Sequence, residues 1–195
     1  DFLKDDAKTI VVMVNGKLRG KFQAAPGADD NTLIEAAKTE SFEYEFENHM
    51  GDSEYIYYKW EGYLFPDTYH FFIGENASSV LKKLFNNFDE KWTAENNTRL
   101  KELGMTKDQI IIIASIIQRE AKDGSQMKEI SSVIHNRLKD PGTYPNLEMN
   151  STKDYVVSLE SYELFSDFYY ELYLGSYNTY STEGLPPGPI CNPGA

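Results

Sequence analysis

A single carboxylate stands out as a candidate for acid–base chemistry. Glu120 lies next to the end of the run 110–121, which predicts a helix that is apolar on almost every side. The positions three, four and seven residues earlier share its face of that helix, and they hold Ile117, Ile116 and Ile113. A carboxylate among such neighbours loses hydration, so we expect its pKa to lie above the ordinary value of about 4.3. A carboxyl that keeps its proton near neutral pH suits general acid catalysis of glycoside cleavage.

Glu120 also has a purely structural interpretation. Because it lies near the end of the predicted helix, its carboxylate could form a surface ion pair with Arg119 or Arg137. Gln118 and Arg119 fall on other faces of the helix, where they would meet solvent or a partner. Helical periodicity does not decide between the two interpretations, so catalysis by Glu120 is a hypothesis at this point.

Two other polar residues are weaker candidates for contacts with a ligand. Asn136 falls in the middle of a predicted helix that is otherwise apolar on its inner side, where an amide is more often structural than a substrate contact. Glu61 precedes a glycine and an aromatic segment, where a carboxylate most simply accepts hydrogen bonds from the fold. For both residues the structural and the functional interpretation stay open on the sequence alone.

Other kinds of catalytic centre find no support in the sequence. The histidines His49, His70 and His135 lack the spacing of metal ligands, so we expect no metal site. No G-x-S-x-G motif, phosphate-binding loop or dinucleotide-binding glycine pattern occurs. The single cysteine, Cys191, excludes an intrachain disulfide, and without a base partner it is predicted to be an unreactive thiol.

Composition restricts the class of protein that could carry this chemistry. The chain has 195 residues, with 19 Lys and Arg against 31 Asp and Glu, and a net charge of −12. Such an acidic balance disfavours nucleic acids and anionic membrane surfaces as partners. The 14 Tyr, 11 Phe and 2 Trp residues are expected mainly in the core, although tyrosine also suits a protein that stacks rings on sugars. No apolar run is long enough for a membrane-spanning helix.

The first part of the chain predicts mainly strands. Asn15-Gly16 separates two β-branched runs, 9–14 and 17–22, which is the strongest short-range signal for a β-hairpin. A short helix is expected after the acidic and amide residues 29–31. Aromatic and acidic residues alternate within 41–60, and this period of two predicts further strands before a turn at Pro66-Asp67.

The rest of the chain predicts helices. An amphipathic helix is expected over roughly 78–92, and a second short helix should end at Gly104 in a left-handed cap. Thr106 and Gln109 form a capping-box pattern at the start of the Glu120 helix, and Gly124 is expected to stop that helix. Residues from 175 onward are expected to form loops.

Two serines are predicted to cap the helices that follow. The Ser125 helix should end at Pro141-Gly142, and the residues expected on its inner face are Met127, Ile130, Val133, Ile134 and Leu138. The Ser151 helix should run through Val156, Val157 and Leu159.

Four stretches occur in an order that resembles a known family. They are residues 61–69 (EGYLFPDTY), 114–121 (ASIIQREA), 133–138 (VIHNRL) and 177–194 (YNTYSTEGLPPGPICNPG). Together they make the chain similar to the endolytic murein transglycosylases, also called YceG-like or MltG proteins, over residues 61–194. Because four long motifs coincide in order, the resemblance is specific.

The resemblance implies a bacterial cell-wall enzyme. It would be a lyase that cuts nascent peptidoglycan strands internally, between MurNAc and GlcNAc, and leaves 1,6-anhydroMurNAc ends. It implies no cofactor and no metal. It further implies a single N-terminal helix in the cytoplasmic membrane, missing from this sequence, with the catalytic domain on the extracytoplasmic face. Peptidoglycan glycan strands would be its substrate, and peptidoglycan synthases are candidate partners.

The resemblance also implies a division of the chain and an α+β fold. Residues 1–50 would be a small β-containing segment, expected as the remnant of a LysM-like subdomain. Residues 51–195 would be the YceG-like catalytic domain, shortened at its C-terminus, with a central buried helix that carries the catalytic glutamate.

The catalytic residue carries over by its place in a motif. The family's catalytic glutamate closes the ASI-I-x-x-E motif, which here is Glu120, while Gln118 stands where the family often has another acidic residue. Glu120 would therefore act alone, first as general acid and then as general base. Asn150-Ser151 stands where the family usually has Asp-Pro, which leaves the role of that aspartate open. The residues expected to hold sugar or orient the carboxyl are Ser115, Asn136, Asn178, Thr179 and Tyr180, with Glu61 either lining the cleft or bracing the fold.

Two other functions compete with this one. The first is a peptidoglycan-binding scaffold of the elongation machinery without catalytic activity, which the changed Asn150-Ser151 pair keeps open. The second is a hydrolytic muramidase that would leave reducing ends. Ordinary glycosidases use two carboxylates, so a single candidate acid argues mildly against hydrolysis.

Overall fold

The structure, a computed structural model, consists of a pair of strands and a mainly helical remainder. It describes residues 8–14, 17–24, 43–49, 54–56, 58–72, 75–160 and 167–194. Strand β1 (Lys8–Val14) pairs antiparallel with strand β2 (Lys17–Ala24), and Ile10 lies opposite Phe22. The mainly helical character of the described chain agrees, at a coarse level, with the helical part of the predicted α+β class. The Asn15-Gly16 turn and the helix expected after residues 29–31 lie outside the described residues, and the division of the chain at residue 50 stays a prediction.

Helices make up most of the described chain after residue 75. Their bounds are α1 (Ala77–Lys91), α2 (Ala94–Leu103), α3 (Lys107–Glu120), α4 (Met127–Lys139), α5 (Asn150–Glu160) and α6 (Asp167–Tyr177). The amphipathic helix predicted over roughly 78–92 is α1, and its buried face contributes Val80, Leu84, Phe85 and Phe88. The loop predicted from residue 175 starts slightly later, because α6 continues to Tyr177.

The capping signals that frame α3 are confirmed. Gly104 ends α2 in the left-handed conformation, with φ +66°, and satisfies the last carbonyls of that helix. The Thr106 hydroxyl accepts a hydrogen bond from the N–H of Gln109, and the Gln109 side chain accepts one from the N–H of Thr106. This reciprocal pair fixes where α3 begins, and therefore which residues reach its other end.

The strands predicted within residues 41–60 are wrong where the structure describes them. Residues Glu45–His49 form a 3₁₀ helix, and residues 58–64 form turns. The spacing of two between aromatic residues has a different cause here. Tyr44 stacks on Phe46 at 5.1 Å between ring centroids, and Phe46 stacks in turn on Tyr63 at 5.1 Å. Ring stacking in a compact turn thus produces the alternation that an extended strand would also show.

Two details of the helices also differ from the prediction. Helix α3 ends at Glu120, because Ala121 takes an extended conformation, before Gly124 is reached. Ser125 does not cap α4, since its hydroxyl donates to the Asp123 carboxylate and the residue before the helix makes no side-chain cap. On α4 itself Ile134 is fully buried, whereas Val133, expected on the inner face, is 44% exposed.

Helix α3 contributes to two hydrophobic clusters at once. Ile111 belongs to the aromatic core, which also contains Phe46, Trp60, Tyr63, Phe85 and Phe88. Ile112, Ile113 and Ile116 belong to the helical core. This core also draws on α4, the loop before α5, α5, α6 and the C-terminal segment, through Ile134, Leu147, Met149, Tyr155, Val156, Leu159, Tyr173, Tyr177 and Ile190. Burial on two sides explains why the sequence of this helix is apolar almost all round.

The segment that carries Glu61 is held against the C-terminal residues. The side-chain Oδ1 of buried Asn192 accepts hydrogen bonds from the backbone N–H groups of Gly62, at 2.8 Å, and Leu64, at 3.0 Å. Gly62 has φ +94°, and a Cβ at this position would lie 2.6 Å from Pro189 Cγ and 2.7 Å from Ile111 Cγ2. Both the left-handed backbone and the close packing therefore require glycine.

We predict that Gly62→Ala lowers the free energy of unfolding by about 2–4 kcal/mol, because the new methyl group both strains the backbone and overlaps Pro189 and Ile111. Urea denaturation measures the change. Gly124→Ala is the matched control, since a Cβ there meets no atom within 4 Å, and it should change stability by less than about 0.5 kcal/mol. Equal stability of the two variants would contradict the packing of Gly62.

Candidate active site

Glu120 lies at the junction of two helices. It is the last residue of α3 and is half-buried, and its Oε1 accepts a hydrogen bond of 2.9 Å from the backbone N–H of Ser151 in the first turn of α5. The N-terminus of a helix presents unpaired N–H groups and a partial positive charge, so it favours a carboxylate at this place. Among the described residues no ion pair joins Glu120 to Arg119 or Arg137, the two partners of its structural interpretation, and Arg137 pairs with Glu148 at 3.0 Å.

A network of threonines fixes the start of α5. The Thr179 hydroxyl accepts a hydrogen bond from the N–H of Met149 at 3.0 Å and lies 2.9 Å from the Thr152 hydroxyl. The Thr179 carbonyl accepts the N–H of Glu148 at 2.9 Å. Thr179 and Thr152 are both fully buried, so Thr179 holds the helix terminus that contacts Glu120 and offers no free group to a sugar.

Tyr180 and Asn178 lie beside the same helix terminus. The Tyr180 hydroxyl donates to the Asn150 side chain at 2.9 Å, and the Asn178 side chain accepts the N–H of Tyr180 at 3.2 Å. Tyr180 is 49% exposed, which leaves part of its ring open to a ligand. An aromatic ring with a fixed hydroxyl can stack on the apolar face of a sugar. Asn150, which takes the place of the aspartate expected from the resemblance, thus orients an aromatic ring.

Two of the predicted site residues lie elsewhere. Ser115 is fully buried, and its hydroxyl donates to the carbonyl of Ile112 at 2.7 Å while accepting the N–H of Ile190 at 3.0 Å. Its hydrogen-bonding capacity therefore serves to attach the C-terminal segment to α3. Asn136 is exposed on α4, about 200° around the helix from buried Ile134, and none of the described hydrogen bonds joins it to Glu120.

Glu61 is a second carboxyl close to this junction. Its Oε2 accepts a hydrogen bond of 2.7 Å from the hydroxyl of Tyr155, a buried residue of α5. The residue keeps a strip of accessible surface, but its carboxyl is packed among protein atoms. This burial raises the pKa of Glu61 to about 7, against the opposing effects of the Tyr155 hydrogen bond and the charge of Arg119.

Sequence reasoning missed two participants in this site. The first is Tyr155, which the sequence analysis does not name. Its position on the same predicted helix as the apolar residues Val156 and Leu159 is the signal that could have indicated a polar group on a buried helix face. Ser151 was predicted as a helix cap, but it lies inside α5 and acts through its backbone N–H. Among the described residues its buried hydroxyl has no hydrogen-bond partner.

A groove of about 340 Å³ lies between α3 and α4. It is lined by Ala114, Ile117, Gln118, Met127, Lys128 and Ser131. Ile117 shares the face of α3 that carries Glu120, whereas Gln118 lies about 200° around the helix from Glu120, so the groove meets that face along its Ile117 side. Within the described parts of the chain, no group of three or more His, Cys, Asp and Glu side chains could hold a metal ion.

Comparison with known proteins agrees with the motifs. Residues 6–195 match the YceG-like family, which covers nearly the whole sequence. The chain belongs to the YceG-like family. It is 30% identical over 175 residues to the endolytic murein transglycosylase of Bacillus subtilis, covering 89% of this chain and 46% of that protein. It is 28% identical over 138 residues to the endolytic murein transglycosylase of Streptococcus pneumoniae, covering 70% of this chain and 24% of that protein.

A solved structure supports the same relationship. A crystal structure of a YceG-like protein from Listeria monocytogenes aligns with a TM-score of 0.61 and 26% identity, over 85% of this chain and 52% of that one. This YceG-like chain therefore spans about half or less of the lengths of these relatives. No helix among its described residues combines the length and the apolar character needed to cross a membrane.

The raised pKa of Glu61 predicts a pH dependence of stability. The pKa of about 7 in the folded chain lies above the usual 4.5 expected after unfolding, so the folded state binds the proton more tightly. The stability that the folded state gains from this proton is fully present below about pH 4.5 and is lost as pH rises through 7. Between pH 5 and pH 8 the wild type should therefore lose roughly 2–3 kcal/mol relative to Glu61→Gln.

Urea denaturation across that pH range measures this difference. Exposed Glu95 on α2 supplies the control, because Glu95→Gln should follow the wild type at every pH. A constant gap between wild type and Glu61→Gln from pH 5 to pH 8 would show that Glu61 titrates normally.

Proposed function

We propose that this chain is an endolytic peptidoglycan lytic transglycosylase, a lyase that cleaves the bond between MurNAc and GlcNAc inside glycan strands. Its family membership and the names of its relatives support the class of activity. The single observation that carries the proposal is the geometry of Glu120. Its Oε1 is fixed by the Ser151 amide, and no described residue donates a hydrogen bond to its Oε2, which leaves that oxygen to exchange a proton with substrate.

The proposed reaction needs one carboxyl in two roles. Protonated Glu120 gives its proton to the glycosidic oxygen, the bond from that oxygen to C1 of MurNAc breaks, and an oxocarbenium-like centre develops. The C6 hydroxyl of the same MurNAc attacks C1 and loses its proton to the Glu120 carboxylate. This step closes a 1,6-anhydro ring, consumes no water and restores the protonated acid.

The other groups around Glu120 receive supporting roles in this proposal. The exposed ring of Tyr180, oriented by Asn150 and Asn178, stacks on a sugar next to the cleavage point. Thr179 holds the α5 terminus. Ser115 and Asn136 take no part, because the first is used within the fold and the second is exposed on α4.

The proposed substrate sets the location. Glycan strands of peptidoglycan lie outside the cytoplasmic membrane, so the catalytic domain would face the extracytoplasmic side, held there by the N-terminal membrane helix that the resemblance implies. Peptidoglycan synthases, which produce the nascent strands, are the proposed protein partners.

We predict that Glu120→Gln reduces the release of 1,6-anhydro products from purified sacculi at least about 100-fold, because the amide cannot donate and accept the proton in turn. Mass spectrometry of the digested glycan measures the products. Glu95→Gln is the matched control and should keep full activity, since it replaces an exposed glutamate on α2. Melting curves of both variants should stay close to that of the wild type.

The products separate the three candidate functions. Anhydro ends from the wild type and their loss in Glu120→Gln support the transglycosylase. Reducing ends would identify a hydrolytic muramidase instead. Binding of glycan strands without new ends, equal in wild type and Glu120→Gln, would identify a scaffold and contradict the proposed mechanism.

A further inference from the structure

One helix connects the two carboxyls of the site. In its first turn, α5 donates the N–H of Ser151 to Glu120 at 2.9 Å, and one turn later it donates the hydroxyl of Tyr155 to Glu61 at 2.7 Å. Residues four apart lie on nearly the same face of a helix and about 6 Å apart along its axis. A shift or rotation of α5 that breaks one of these contacts therefore also disturbs the other.

Glu61 is suited to act as the fixed point of this arrangement. The neighbouring N–H groups of Gly62 and Leu64 are both bound by the Asn192 side chain. Gly62 also packs directly against Ile111 of α3, the helix that ends at Glu120. The Glu61 carboxylate is thus attached to α3 through its own backbone and reaches α5 through Tyr155.

The surroundings of Glu61 leave its carboxyl little freedom to take another partner. Arg119 at the end of α3 supplies the opposite charge. The negative charge of Glu61 acts on three weakly acidic groups, which are Tyr155 of α5, Tyr177 of α6 and Cys191 of the C-terminal segment. The Tyr155 ring packs against Tyr177, with centroids 5.2 Å apart, so its hydroxyl is held toward Glu61. A carboxyl in such a place loses hydration and is retained at a cost in stability.

We propose that Glu61 is a positioning residue for Glu120: through the Tyr155 hydroxyl it sets the place of α5, so that the Ser151 amide meets the Glu120 carboxylate. This inference rests on the proposed catalytic role of Glu120. It assigns Glu61 to bracing the active site and leaves sugar binding to the exposed side of the junction.

A second set of contacts holds α5 and limits how much kcat falls when the Tyr155–Glu61 contact is lost. Thr179 also binds the start of the helix, through the Met149 N–H and the Thr152 hydroxyl. Loss of the Tyr155 contact therefore loosens the Ser151 amide without detaching the helix. We expect a loss of about tenfold in kcat, which is smaller than the loss from removing the acid itself.

Four variants test the proposal by steady-state kinetics on glycan strands. Tyr155→Phe and Glu61→Ala should lower kcat about tenfold and leave KM within about twofold. Glu61→Gln keeps a side-chain oxygen that accepts the Tyr155 hydroxyl, so it should stay within about threefold of the wild-type kcat. Tyr173→Phe is the control for removing a tyrosine hydroxyl from the helical core, and it should behave like the wild type.

Three outcomes would overturn the proposal while the transglycosylase stands. They are wild-type kcat in both Tyr155→Phe and Glu61→Ala, a rise in KM in place of a fall in kcat, and an equal loss in Tyr173→Phe. Failure of the proposed function would appear separately, as anhydro products that persist in Glu120→Gln.

A measurement independent of activity covers the case in which the purified chain releases no product. The proposal predicts that hydrogen exchange at the Ser151 amide becomes at least about tenfold faster in Tyr155→Phe than in wild type, with Tyr173→Phe unchanged. Identical protection of that amide in wild type and Tyr155→Phe would contradict it.

Discussion

The burial of α3 on two sides is the constraint on which the rest of the structure depends. Ile111 packs into the aromatic core and Ile116 into the helical core, so the helix can neither turn nor slide without exposing apolar surface. Its start is fixed by the reciprocal Thr106 and Gln109 bonds. Because a helix has a regular rise, a fixed start and fixed faces also decide where Glu120 emerges.

The site forms where this immobile helix meets the N-terminus of α5. The carboxylate at the end of α3 meets an unpaired amide at the start of α5, an arrangement that general helix electrostatics favours. The Glu61 segment contacts both helices, because Gly62 packs against Ile111 of α3 and Glu61 accepts the hydroxyl of Tyr155 of α5. Tyr180, which is 49% exposed, lies on the open side of this junction, where the proposed glycan substrate would bind.

Local signals in the sequence predicted α1, α2 and the start of α3, while the role of Glu120 as the acid stays a prediction. The Thr106 capping box, the Gly104 cap and the isoleucine pattern are short-range features, and the structure contains each of them. The failure within residues 41–60 came from long-range packing. The alternation around Phe46 reflects ring stacking on Tyr63 and α1, and no local pattern distinguishes that from a strand.

Long-range pairing also explains what was missed at the site itself. The Tyr155–Glu61 bond joins residues 94 positions apart, and the Ser151–Glu120 bond joins residues 31 apart through a backbone group. Sequence patterns identify side chains of a suitable type, but they do not show which backbone N–H a carboxylate will meet. Ser115 illustrates the converse, because its hydroxyl lies in the motif that ends at Glu120 but accepts the N–H of Ile190 within the fold.

The most direct test of the Glu120 geometry is the NMR chemical shift of the Ser151 amide proton, compared between variants at one pH. If the amide binds the Glu120 carboxylate, its proton resonance should move upfield in Glu120→Ala, which removes the acceptor, and should stay in place in the control Glu95→Ala on α2. A Ser151 resonance at the same position in the wild type and in Glu120→Ala would contradict this geometry.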